Sequence, residues 1–318
     1  MKQSQVRLAS RFVTLFALLG SVSAFALPIA TTPYLENARS LSSSFNDVNF
    51  DGIIALNNCS GSIVRFQTSL STENAMVLTN GHCLANMAGG GMPKAGEVIV
   101  NASANRSVYV LNPADGSKIG KLTATKILYA TMTKTDMTLY QLKESYDEIK
   151  SKYSVHPFTL ANRFPAVGEG IDIISGYWRR GYSCKVDAIV HELREASWTM
   201  MDSIRYSRPG CETIGGTSGS PIISLDTKEI VGVNNTGNED GKKCAMNNPC
   251  EVDESGKITY EKGLSYGQQV SWLYGCLTED RKIDLNIAGC QLVKPGESAP
   301  TPPTRGSSGS VWPKSFRR

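Results

Sequence analysis

The chain has 318 residues, 41% of them hydrophobic, which is enough for one large domain or two small ones with a sizeable core. Its net charge of +4 lies at the two ends, because residues 1–26 and residues 295–318 each carry +3 and leave the body at −2. This distribution argues against a nucleic-acid-binding protein.

The first 26 residues have the pattern of a signal peptide. Lys2, Arg7 and Arg11 precede an apolar stretch at 12–22 and a small-residue cleavage motif at 24–26, which predicts a mature start at Leu27. The apolar stretch is shorter than the roughly 20 residues of a transmembrane helix. We therefore expect a secreted or periplasmic protein with no membrane association after signal removal, and a leader or N-terminal arm at 27–47.

Short apolar or alternating segments, separated by Gly, Asn, Asp and Ser, fill the body of the chain and predict an all-β barrel or sandwich. The expected strands are 52–56, 62–66, 75–79, 97–102, 107–111, 121–129, 137–142, 171–176, 183–191, 199–206, 221–224 and 229–234. Only 144–152 and 268–277 have helical character. Pro, Ser, Gly and Thr dominate residues 295–318, which predicts a disordered tail.

Eight cysteines in an exported chain favour disulfide bonds. A metal site is not predicted, because no C-x-x-C pair occurs and neither His156 nor His191 has ligand spacing from a cysteine. The cysteines are Cys59, Cys83, Cys184, Cys211, Cys244, Cys250, Cys276 and Cys290.

Three segments carry residues suited to nucleophilic catalysis. Ser218 lies in Gly-Thr-Ser-Gly-Ser-Pro at 216–221, where glycines let the backbone N–H groups of Gly216 and Ser218 point into one small space. His82 follows a β-rich run and could take the serine proton, since its imidazole titrates close to neutral pH. Asp136 precedes an apolar strand and could fix the tautomer of that imidazole.

The disulfide pairing can be predicted only in part. A bond between Cys59 and Cys83 would fix the loop that carries His82. The other six cysteines leave many connectivities open. The sequence-local choice is 184–211, 244–250 and 276–290, with 211–244 as an alternative.

Four blocks, CSGSIV at 59–64, LTNGHC at 78–83, TDMTL at 135–139 and GTSGSP at 216–221, together resemble the motifs of trypsin-like serine proteases. Weaker matches at 230–237 and 268–273 resemble the family's substrate-lining strand and C-terminal helix. The resemblance implies two packed six-stranded antiparallel β-barrels with a short C-terminal helix. The first barrel, at 48–160, would carry His82 and Asp136, and the second, at 161–294, would carry Ser218.

The resemblance also implies a substrate pocket. Glu212 falls at the position that sets the charge of the pocket base, which would favour Lys or Arg before the scissile bond. The other expected substrate-binding residues are Thr213, Asn235, Thr236 and Gly237. The nucleophile block is similar to that of bacterial glutamyl endopeptidases, but asparagine stands near the place of their recognition histidine.

Thr217 stands where the animal enzymes have an aspartate that pairs with a newly formed amino terminus. Ile214 stands where they have a cysteine, and no Ile-Val-Gly-Gly precedes Cys59. We therefore expect that ordering of the Gly216 and Ser218 amides does not require an inserted amino terminus.

The predicted function is that of a secreted serine endopeptidase that forms an acyl-enzyme, needs no cofactor, acts as a monomer and cleaves proteins or peptides. The alternative is a catalytically silent protease-like domain that only binds. An α/β-hydrolase is excluded because every histidine precedes Ser218, and a subtilisin-like fold is disfavoured by the scarcity of helices.

Overall fold

The computed structural model describes residues 48–84 and 91–297, and its regular structure there is almost entirely β-strand. The predicted signal peptide, the leader and the tail beyond residue 297 lie outside the described residues. No helix within the described ranges is long and apolar enough to cross a membrane.

The first sheet closes into a barrel. Its strands run in the order β1-β4-β5-β6-β3-β2, and a β1–β2 pairing joins the ends, while β7 adds to β2 in parallel. The strands are β1 (Ile53–Ala55), β2 (Ser60–Arg65), β3 (Asn74–Thr79), β4 (Val98–Leu111), β5 (Lys118–Thr131), β6 (Met137–Ser145) and β7 (Phe158–Thr159). A 3₁₀ turn, His82–Leu84, follows β3, and helix α1 (Tyr146–Tyr153) follows β6.

The second sheet closes in the same way. Six strands run in the order β10-β15-β12-β11-β8-β9, a β9–β10 pairing closes the barrel, and β13 and β14 extend outward from β9. The strands are β8 (Gly170–Ser175), β9 (Arg180–Glu195), β10 (Trp198–Tyr206), β11 (Pro221–Ser224), β12 (Ile230–Gly237), β13 (Cys250–Val252), β14 (Ile258–Thr259) and β15 (Ser265–Gln269). The predicted pair of six-stranded antiparallel barrels is confirmed.

Alternation along the strands fills the barrel interiors. In β9, Tyr182, Cys184 and Val186 are buried, whereas the intervening Ser183 and Lys185 face solvent. Successive strand side chains point to opposite faces, so every second residue enters the core. This pattern explains why the sequence was recognisable as β-rich.

Two elements differ from the sequence prediction. The segments 97–102 and 107–111 form one continuous strand, β4, because the equally long β5 pairs along it through a register irregularity between Ser103 and Arg106. The expected helix at 268–277 is a 3₁₀ helix at Ser271–Cys276. Its first two residues belong instead to β15, which hydrogen-bonds to β12.

Four disulfides are present within the described residues. They join Cys59 to Cys83, Cys184 to Cys211, Cys244 to Cys250 and Cys276 to Cys290. This is the sequence-local arrangement, so the alternative 211–244 pairing does not occur. The first of these bonds ties the start of β2 to the turn that carries His82.

Replacing both Cys59 and Cys83 with alanine should lower the free energy of unfolding by about 2–5 kcal/mol, because the bond closes a long loop of the unfolded chain. Urea unfolding followed by circular dichroism measures the change. The matched control removes Cys244 and Cys250, whose sequence separation is 6 rather than 24. A loss in the control as large as in the test variant would contradict the loop-closure explanation.

Candidate active site

His82 is held on a short turn by contacts to its neighbours on both sides. Gly81 leaves no room for a side chain, since a Cβ there would lie 2.1 Å from the carbonyl oxygen of Thr131. On the other side, the guanidinium of Arg106 donates to the carbonyl oxygen of Cys83 over 2.7 Å. The imidazole is half-buried and faces the cleft between the barrels.

Asp136 immediately precedes β6 and lies beside that imidazole, with 1% of its surface exposed. Its Oδ2 is 2.8 Å from His82 Nδ1, and its Oδ1 accepts the His82 backbone N–H over 3.0 Å. Asn80 donates to the Asp136 carbonyl oxygen over 2.8 Å. Because the carboxylate engages Nδ1, the imidazole Nε2 is the nitrogen left for a reacting group.

Ser218 lies in the loop between β10 and β11. Its carbonyl oxygen accepts the Ser60 N–H over 2.8 Å, so the loop that carries Ser218 is attached directly to the first barrel. The Ser218 hydroxyl donates to the Asn235 carbonyl oxygen over 3.4 Å, and no hydrogen bond joins it to His82. Catalytic hydrogen bonds are often long or misaligned before substrate binds, so the lack of this bond does not exclude Ser218 as a reacting group.

The Gly216 and Ser218 amides have no hydrogen-bond acceptor among the described residues. In contrast, the intervening Thr217 donates to the Ile214 carbonyl oxygen, and the following Gly219 donates to that of Asn234. Gly216 has a φ of +89°, which glycine adopts without strain. Two unpaired N–H groups beside a serine can stabilise a developing oxyanion.

All three predicted triad residues line one cleft of about 400 Å³. The residues expected to bind substrate also line it: Glu212, Thr213, Asn235, Thr236 and Gly237. Glu212 is exposed, and its carboxylate accepts the Gly210 N–H over 2.9 Å. Cys59 and Cys83 lie near His82, but their sulfurs are bonded to each other and offer no thiolate to a metal.

The profile of the trypsin-like peptidase domain matches residues 59–233, which is more than half of the chain. The chain belongs to this trypsin-like peptidase family. No curated protein matches it in sequence.

The fold is similar to that of several solved proteases. The MamO protease domain from Magnetospirillum magneticum, in its apo form, is 12% identical, with coverage of 73% of this chain and 99% of that chain and a TM-score of 0.45. A Glu endopeptidase in complex with MPD is 17% identical, with coverage of 71% and 88% and a TM-score of 0.40.

Glu195 is a further acidic residue of the cleft, and no sequence motif predicted it. It ends β9, is 8% exposed and lines the cleft with His82. Its carboxylate accepts the Asn247 N–H over 2.7 Å and a hydrogen bond from the Thr236 side chain. No lysine or arginine within the described ranges forms an ion pair with it.

Electrostatics in the cleft favour protonation of His82. Burial by itself disfavours the imidazolium, but the charge and hydrogen bond of Asp136, with the charge of Glu195, outweigh it and raise the pKa of His82. Burial also raises the pKa of Glu195. A base with a raised pKa loses activity as the pH falls, because the imidazolium cannot accept a proton.

Peptidase activity should therefore fall on the acid side with an apparent pKa above about 6.5, the ordinary value for histidine. Glu195→Gln keeps the side-chain shape but removes a charge that stabilises the imidazolium, so this apparent pKa should move to lower pH. The measurement is kcat/KM against pH. Glu239→Gln is the control for the apparent pKa, which it should leave unchanged, because Glu239 lines the same cleft but is exposed and screened by solvent. Identical profiles for wild type and Glu195→Gln would contradict the prediction.

Proposed function

We propose that this protein is an exported serine endopeptidase in which Ser218 is the nucleophile, His82 the general base and Asp136 the residue that orients it. The observation that carries the proposal is the 2.8 Å contact between Asp136 and His82 Nδ1 in a cleft shared with Ser218. Because Asp136 engages Nδ1, Nε2 is left to exchange a proton with Ser218 and the substrate. The same carboxylate stabilises the imidazolium that forms.

The chemistry follows from this arrangement. The Ser218 hydroxyl attacks the peptide carbonyl carbon while His82 Nε2 takes the hydroxyl proton, and the amides of Gly216 and Ser218 donate to the resulting oxyanion. Collapse of the tetrahedral intermediate expels the amine, which receives the proton from His82. Water, activated by the same imidazole, then attacks the acyl-enzyme and releases Ser218.

Export is part of the proposal. Four disulfides support an oxidising compartment, and the predicted signal peptide at 1–26 supplies the route. The substrates would then be proteins or peptides outside the cytoplasm, cleaved by a monomer without a cofactor.

Ser218→Ala should abolish casein hydrolysis, with a decrease in kcat on the order of 10⁴- to 10⁶-fold, because the nucleophile is lost while the fold is untouched. His82→Ala should cost about as much, since the two residues act as a unit. Ser220→Ala is the matched control, because its hydroxyl is buried in the same loop and makes no hydrogen bond to any described residue. A wild-type protein that binds casein without cleaving it would support the binding-domain alternative.

The charge of the cleft favours a basic substrate side chain. Glu195, Glu212 and Glu239 line it together with Asp136, against a single described lysine, Lys262. A negatively charged cleft attracts substrates with positively charged side chains and disfavours substrates with negatively charged ones. We therefore include a preference for Lys or Arg before the scissile bond, with Glu212 as the recognising carboxylate.

A peptide-library digest should show enrichment of Lys and Arg at that position. Glu212→Gln should lower kcat/KM for those peptides by about 3- to 10-fold, a modest factor because an exposed carboxylate is screened by water. Peptides with a neutral residue at that position serve as the control and should be cleaved unchanged. An unbiased digest, or an equal loss for neutral peptides, would refute the role of Glu212.

A further inference from the structure

Residues 215–218 contain the two amides of the proposed oxyanion hole, and we call them the oxyanion loop. An indole side chain donates a hydrogen bond to this loop. Trp178, in the turn between β8 and β9, donates its Nε1–H to the carbonyl oxygen of Gly215 over 2.8 Å. Gly215 and Gly216 form a consecutive glycine pair. None of the four motif blocks of the sequence contains Trp178. Within the described part of the chain, Trp178 forms no hydrogen bond with His82, Asp136 or Ser218.

A peptide group is planar and trans, so its C=O and N–H point in opposite directions. The carbonyl of Gly215 and the N–H of Gly216 belong to one peptide group. When the carbonyl points at Trp178, the N–H of Gly216 must point away from Trp178. If that peptide group rotated by half a turn, a carbonyl oxygen would replace the N–H and repel an oxyanion. In the observed orientation, the Gly216 N–H therefore lies on the side away from Trp178, and it has no acceptor among the described residues.

Two further contacts fix Trp178 itself. Its backbone N–H donates to the Ser175 hydroxyl over 3.2 Å, and its ring meets Tyr177 edge to face with centroids 4.9 Å apart. The indole also explains why residue 216 is glycine, since a Cβ there would lie 2.8 Å from Trp178 Nε1 and 3.0 Å from the Tyr177 ring. The two aromatic rings therefore leave no space for a side chain at residue 216.

We infer that Trp178 is a positioning residue for the oxyanion hole, and the inference rests on the proposed function of Ser218 and Gly216. A glycine pair has little intrinsic preference for one peptide orientation. The Trp178 hydrogen bond supplies the preference without a charge and without an inserted amino terminus. Its removal lets the Gly215–Gly216 peptide populate the rotated, inactive orientation, which lowers the competent fraction of the enzyme.

The test replaces Trp178 with phenylalanine, which keeps an aromatic ring and loses the N–H. We expect kcat to fall by about 3- to 10-fold, the range that corresponds to one net hydrogen bond. KM should stay within about twofold, because the residues of β12 that we expect to bind substrate, Asn235 to Gly237, form no hydrogen bond with this peptide group among the described residues. Tyr177→Phe is the matched control, since Tyr177 lies in the same turn, is exposed to a similar extent and has a hydroxyl that forms no hydrogen bond within the described ranges.

A second readout is independent of peptide specificity. Diisopropyl fluorophosphate reacts with an activated serine, and its phosphoryl oxygen uses the same two amides. Its second-order rate of inactivation should fall in the Trp178→Phe variant by the same factor as kcat. A residue that only supports the fold would instead lower the thermal midpoint and leave the rate of the folded fraction unchanged.

The outcomes separate the two proposals. If the reagent does not label Ser218 in the wild type, the proposed function fails. If the wild type is labelled and Trp178→Phe reacts within about twofold of it, the inference about Trp178 is overturned while the proposed function stands. Because Trp178 is 47% exposed, the variant should fold. If it does not, benzothienylalanine incorporated at residue 178, which replaces only the N–H by sulfur, decides by the same criteria.

Discussion

Ser60 is the point at which the two barrels are joined around the active site. Its backbone N–H donates to the Ser218 carbonyl oxygen, and its own carbonyl oxygen accepts the Thr79 hydroxyl over 2.8 Å. Thr79 ends the strand that leads to His82, so one residue links the proposed base and the proposed nucleophile. A Cβ at Gly219 would lie 2.2 Å from both the Ser60 carbonyl oxygen and the Thr79 hydroxyl, which explains the glycine after the nucleophile.

The Ser60 side chain extends this connection to the oxyanion loop. Its hydroxyl donates to the Gly216 carbonyl oxygen over 3.4 Å and accepts the Tyr177 N–H over 3.1 Å. The Ser175 hydroxyl lies within hydrogen-bond distance of the Ser60 hydroxyl, 3.0 Å away. The turn that carries Trp178 is therefore anchored to the first barrel, and an error in packing the barrels would disturb the nucleophile and the oxyanion loop together.

Sequence alone predicts the features that are encoded in short segments. His82, Asp136 and Ser218 each lie in a local motif, and alternation such as that in β9 identified the strands and hence the all-β class. Glu195 and Trp178 could not be found in this way. Glu195 ends β9 and Trp178 lies in the turn before β9. The neighbours of both residues in space are set by barrel closure and hairpin length, which motifs do not encode. The continuous β4 was missed for the same reason, since pairing with β5 overrides the polar interruption near residue 103.

Thr217 shows how the loop that carries Ser218 can be ordered without an ion pair. Its side chain is fully buried, and its hydroxyl lies 3.4 Å from that of Tyr182, on the strand that follows Trp178. A buried ion pair must overcome the desolvation of two charges, and breaking it leaves one charge unpaired. Hydroxyl, indole and peptide groups carry no such penalty once they are hydrogen-bonded. Each bond is individually weak, however, so the orientation of a flexible glycine pair depends on several of them being formed together. Folding of the two barrels can therefore order the loop without a further step. Loss of the contacts between the Trp178 turn and Ser60 would disorder it.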